Sequence, residues 1–127
     1  MLENIDIKTI ERIFAALPVE ISFVDSEDRI AFFNEGDNKI FPRRLESIGK
    51  DVYSSHPERC LPEVIQIIDE MRKDTRESAE YWINKRERFL HIRYFAVRDK
   101  NRKYLGVVEV VQDITEIKRL EGEKRIP

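Results

Sequence analysis

The chain has 127 residues, 41% of them apolar and 38% charged, with 23 Lys and Arg against 25 Asp and Glu for a net charge of -2. That length makes one domain with a real core, and the interspersed charge excludes the basic stripe a nucleic-acid binder needs. A lone Cys60 excludes an internal disulfide and fits a reducing cytosol, no apolar run reaches the ~18 residues of a membrane span, and the N-terminus lacks a signal-peptide core, so a cytoplasmic protein is expected.

Ile10, Ile13, Phe14 and Leu17, with Ile5 before them, recur at helical spacing and predict an amphipathic helix ending before Pro18. Glu20 to Asp25 and Arg29 to Asn34 read as a hairpin across the polar turn Ser26-Glu27-Asp28. Glu35 to Leu45 predicts a short helix broken near Pro42, and Gly49 is free to take positive φ in the turn Ile48 to Val52. Ser55-His56-Pro57-Glu58 has the form of a capping box, and Pro62 suits a helix start. Leu61, Val64 or Ile65, Ile68 and Met71 form one face of a helix ending near Lys73. Ser78 to Asn84 predicts a strand, and Lys85-Arg86-Glu87-Arg88 a charged hairpin tip. The runs FLHIRYFAVR and YLGVVEVVQD then predict a second hairpin, apolar on both faces and so expected to be central and covered on each side. Asp113-Ile114-Thr115 closes it, and Glu116 to Arg125 predicts a short polar helix with Ile117 and Leu120 as its contacts.

Helix, two strands, helices, three strands and a helix resemble a PAS domain. The likeness rests on Val24 to Ile30 with Asn34, on Ile48-Gly49-Lys50-Asp51-Val52, on Tyr94 to Asp99, and on Leu105-Gly106-Val107 leading to Asp113-Ile114-Thr115-Glu116. It covers Pro18 to Glu121. The expected fold is α+β: a five-stranded antiparallel sheet with helices on one face and an N-terminal flanking helix. The expected parts are that helix in residues 1–17, the PAS domain in 18–115 and an exit helix in 116–127. Leu17 to Ile21, the Ser55-His56-Pro57 turn, His91 to Phe95 and Leu120 to Arg125 resemble PAS domains found at the C-terminal end of hemerythrin-like (HHE) proteins. Two His residues cannot supply a His-rich di-iron bundle, so that bundle is absent from this chain.

The resemblance implies a sensory or interaction module with a small-molecule pocket between sheet and helices. It implies a homodimer through the N-terminal helix and outer sheet face, and output through a partner protein or a missing domain. Glu109 is a charge inside the apolar strand Val107 to Val111, costly there unless paired or protonated. One strand register sets it opposite Arg93 as an ion pair, and a shift by one residue sets it beside Ile92 or Tyr94. The resemblance places Tyr94 and Glu109 on the pocket side as ligand contacts, so both readings stay open. His56 is a candidate axial ligand for haem, which makes a haem-based redox or gas sensor one alternative; the simpler reading is a helix-start residue beside Pro57. A ligand-free dimerisation module is another alternative. Asp113 and Thr115 have short polar side chains that can cap the exit helix and, by resemblance, tie it to the last strand. No nucleophile–base or metal constellation is visible, so no enzyme is expected. His91 is expected to pack on the face away from the pocket, and Cys60 to be a small buried apolar residue.

Overall fold

The structure is a computed structural model and describes residues 1–34, 40–55 and 61–127. Five strands form one antiparallel sheet: β1 (Glu20–Asp25), β2 (Ile30–Phe33), β3 (Ser78–Lys85), β4 (Arg88–Arg98) and β5 (Tyr104–Asp113). Their order across the sheet is β2-β1-β5-β4-β3. Helix α1 (Ile7–Ala16) precedes the sheet, and α2 (Leu61–Arg72) lies across its inner face. The expected α+β architecture is therefore present, and β5 is the central strand.

Alternation sorts each strand into two faces. Val24, Ile30, Phe33, Ile92, Tyr94, Val107 and Val111 point inward and close on Val64, Ile68 and Met71 of α2, all less than a tenth exposed. The helical spacing of those three is what the sequence offers for one buried stripe. Lys73 N bonds Asp69 O, and Asp74 then takes a φ of 60°, which stops α2.

Two turn positions depend on backbone freedom. The tip of the β3–β4 hairpin has Arg86 and Glu87 both at positive φ, 50° and 67°, the twist that a two-residue hairpin needs. Gly106 has a φ of 148°, and a Cβ there would lie 2.1 Å from the Val24 carbonyl oxygen. Only glycine fits where β5 passes β1 this closely.

Several expectations are corrected. The β4–β5 hairpin is covered on one side only. On its outer face His91, Arg93, Val97, Val108 and Val110 are half-buried and Phe95 is exposed. No α-helix follows β5: residues 117–119 make one 3-10 turn, and 120–127 have no regular structure. Two apolar side chains cannot hold an isolated ten-residue helix against the entropy of ordering it. A 3-10 turn spans Leu45–Ser47, and residues 35–39 of the expected short helix lie outside the described residues. His56, Cys60 and the His56-Pro57-Glu58 part of the expected capping box lie outside the described residues.

Candidate functional site

The site grows from strand register. Arg98 pairs with Tyr104 where β4 meets β5. Continued regularly for five residues, that register would set Arg93 opposite Glu109. The ladder shifts by one between Val97 and Arg98, however, leaving Leu105 as an extra residue beside Gly106. After this bulge Tyr94 stands opposite Glu109, and Arg93 opposite Val110. The Arg93–Glu109 pair is thereby excluded, and Glu109 faces inward.

Ser22 of β1 is the partner of Glu109 on its other side. Ser22, Glu109 and Tyr94 therefore form one polar row across three strands. The row Val24–Val107–Ala96 flanks it on one side and Glu20–Val111–Ile92 on the other. The carboxylate is paired by a residue that sequence reasoning missed. Arg43 Nη2 donates to Glu109 Oε1 at 2.9 Å, and Arg43 Nε donates to Ser22 Oγ at 3.2 Å. Both charged side chains are mostly buried, 23% and 14% exposed. An ionised carboxylate among valines demands a cation, but sequence alone cannot choose among 23 Lys and Arg.

Tyr94 is 5% exposed, and its hydroxyl makes no hydrogen bond of good geometry among the described residues, although Glu109 and Tyr81 both lie close enough to interact with it. Burial pushes the phenol far above its ordinary pKa, and the nearby Glu109 charge adds to the effect. It remains a neutral donor and acceptor at any physiological pH. Beside the polar row lies a chamber of about 30 Å³, lined by Val24, Ile30, Val64, Ile68 and Val107 together with Ser22, Arg43, Tyr94 and Glu109. A water molecule occupies about that volume in the liquid.

At the end of the sheet a second, larger cavity of about 610 Å³ opens outward. It is bounded by the α1–β1 connection at Leu17 and Pro18, by Asn34, and by Asp113 and Thr115. Asn34 fixes that connection: its Oδ1 accepts from Ile21 N at 2.8 Å, and its Nδ2 donates to Phe14 O and Val19 O, both at 2.9 Å. Every polar atom of this buried amide is used, which makes it a rigid joint.

Asp113 and Thr115 do not cap an α-helix. Asp113 Oδ1 accepts from Thr115 N at 3.0 Å and from Thr115 Oγ1 at 2.5 Å, and Thr115 Oγ1 accepts from Phe89 N at 2.8 Å. Together they tie the end of β5 to the start of β4. Those donors hold the Asp113 carboxyl below its ordinary range.

His91 lies on the outer face, with Nε2 and Glu80 Oε2 2.6 Å apart. Arg93 shares that face, its guanidinium 5.8 Å from the Phe95 ring centre. Among the described residues, no group of three or more His, Cys, Asp or Glu gathers to hold a metal. None of the described helices is long and apolar enough to cross a membrane.

A family model of the PAS domain matches residues 10–115. The chain belongs to the PAS domain family. It therefore has the fold of sensory and signalling modules. A C-terminal domain from Streptococcus mutans is 28% identical, with a TM-score of 0.85 over 92% of this chain and 91% of that one. The PAS domain of a Colwellia psychrerythraea protein is 16% identical, with a TM-score of 0.62 over 86% of this chain and 97% of its own. A sensory box sensor histidine kinase from Vibrio cholerae is 14% identical, with a TM-score of 0.59 over 85% of this chain and 91% of that one. No curated protein matches the chain. In this PAS domain the inner chamber lies between sheet and α2, and the outer cavity lies where both terminal connections meet.

Proposed function

We propose that this PAS domain is a cytoplasmic sensory module that binds a small molecule in the chamber beneath Glu109 and Tyr94. The observation that carries the reading is the Tyr94 hydroxyl, buried without a well-formed hydrogen bond in the same cross-sheet row as Glu109 and Ser22. A fold built for stability alone gains nothing from that hydroxyl, because an unpaired buried donor costs free energy. A ligand that hydrogen-bonds Tyr94 and Glu109 would recover it.

The test is native mass spectrometry on gently purified protein, with Glu109→Gln and Tyr94→Phe beside the wild type. The wild type should carry a bound small molecule, and both variants should lose it. Retention unchanged in both variants would remove these residues from the site. The small chamber volume favours a second reading, a ligand-free dimerisation module, which wild-type protein with no adduct would support.

The module acts as a homodimer in this proposal, through α1 and the outer sheet face. Ile7 is 74% exposed, Ile13 48%, Trp82 59% and Phe95 37%, so both surfaces present apolar area for burial. Within one chain α1 touches the sheet through Phe14, whose ring centre lies 5.4 Å from that of Phe32. Removing residues 1–17 should give a monomer by light scattering, whereas a surviving dimer would take α1 out of the interface. In this proposal the module belongs to a larger protein of the hemerythrin-like (HHE) class; the Streptococcus mutans neighbour is described as a C-terminal domain. Residues 1–17 then serve as its connection and 116–127 as the segment that leaves the sheet, and it binds rather than catalyses.

A further inference from the structure

The outer cavity and the inner chamber share two lining residues, Ser22 and Arg43. Arg43 is the long one, and it bonds to Ser22 and Glu109 at the boundary. Arg43 projects from the irregular segment after Pro42 and not from a strand, so it can move without disturbing the sheet ladder. Turning out one ion-paired side chain disturbs less of the fold than displacing a packed strand.

The charge on the outer cavity suits a guanidinium that turns outward. The outer cavity is lined by the carboxylates Glu20, Glu87, Asp113 and Glu116 against one further cation, Arg88. Glu20 is already engaged by the backbone N–H groups of Ile40 and Phe41. Asp113 accepts from Thr115 and Glu116 from Arg119, so these two add negative potential rather than open acceptor sites, and a guanidinium that swings outward meets Glu87 and solvent there.

What enters must satisfy the group that Arg43 leaves. Glu109, ionised, only accepts hydrogen bonds, and alone among valines it would be an uncompensated charge. An anionic head would meet it with like charge. A head rich in N–H donors restores the lost contact, and the Tyr94 hydroxyl can accept from the same head. Beyond the polar row the walls are short aliphatic side chains, Val24, Ile30, Val64, Ile68 and Val107, and the space that the Arg43 side chain vacates, added to the chamber of about 30 Å³, suits a short apolar body.

We propose that Arg43 gates the chamber, and that the chamber takes a small cationic or N–H-donor ligand, an amine or amidine on a short apolar body, whose head replaces the Arg43 guanidinium on Glu109. This rests on the reading of the chamber as a ligand site. The ligand competes with the protein's own side chain, so the closed arrangement lowers apparent affinity by the fraction of open molecules.

The experiment is methyl NMR on the full chain with labelled Val and Ile, titrated with isobutylammonium, isobutyrate and isobutanol. Wild type, Arg43→Ala and Arg43→Ala with Glu109→Gln are compared. In Arg43→Ala, isobutylammonium should shift the methyl signals of Val24, Val64 and Val107 with at least about tenfold tighter binding than in wild type. Isobutyrate should not bind, and the double variant should lose the response. Equal affinity in wild type and Arg43→Ala would overturn the gate. Isobutyrate binding as well as isobutylammonium would overturn the ligand class. Either result leaves the chamber standing as a ligand site. Unmoved chamber methyls with every probe in every variant would overturn the site reading itself, and the gate with it. Arg43→Met keeps the apolar stem and gives the same comparison if Arg43→Ala does not fold.

Discussion

Tyr94→Phe should make this protein more stable while weakening whatever the chamber binds. The change deletes one oxygen atom from a residue that is 5% exposed. That oxygen makes no well-formed hydrogen bond among the described residues, so folding replaces its hydration only in part. Burying such a hydroxyl costs about 1–3 kcal/mol. Part of the gain is lost because its removal enlarges a void beside a chamber of about 30 Å³. A net stabilisation of about 1 kcal/mol follows. An unfolding entropy of about 2.1 cal/mol/K per residue gives about 0.27 kcal/mol/K for a chain of 127 residues, so Tm should rise by about 4 °C. Differential scanning calorimetry on ligand-free wild type and variant at the same pH measures it. A fall in Tm of 2 °C or more would refute the reasoning, because it would mean the hydroxyl makes a stabilising bond in solution.

Gly106→Ala should lose several kcal/mol, because the new Cβ would meet the Val24 carbonyl at 2.1 Å and both the β1–β5 ladder and the bulge would have to give; chemical denaturation checks this, and a loss under about 1 kcal/mol would show that β5 shifts freely. Arg98 is 6% exposed and donates to Met71 O at 2.6 Å and Glu77 Oε1 at 3.1 Å, holding the end of α2 against β4. Arg98→Met should therefore cost about 2–4 kcal/mol in the same assay, and a neutral effect would show that the stem alone supplies the packing. The Asp113 carboxyl is held low by the Thr115 hydroxyl and backbone N–H, so its contribution to stability is present above the ordinary carboxylate range and is lost as pH falls through its lowered folded value. Thr115→Val should raise the Asp113 pKa toward normal in an NMR titration, whereas an unmoved value would remove Thr115 as the cause.

Local pattern carried most of the fold. Glu20 to Asp25 alternates with a period of two and is a strand over that range. Val64, Ile68 and Met71 recur at helical spacing and are the buried stripe of α2. The exit segment failed because a polar ten-residue stretch looks helical by propensity, while only packing decides whether it orders, and Ile117 and Leu120 are 49% and 76% exposed.

The candidate site shows where local pattern stops. Sequence named Glu109 as a charge in an apolar strand and named Tyr94 and Arg93 as its possible neighbours. The choice between them turned on one extra residue, the bulge at Leu105 and Gly106, which reverses the parity of every pair beyond it. Sequence marks a glycine there but not the shift it permits, because register is set by the whole ladder and by the β1 carbonyl packed against that glycine. Arg43 was further out of reach. It is 66 positions from Glu109, on an irregular segment with no period to aim it, and only the folded chain brings the guanidinium to the carboxylate. The sequence by itself determined that a buried charge must find a partner. Tertiary structure decided which one, since charges pair through space and a chain folded into a sheet measures space differently from sequence.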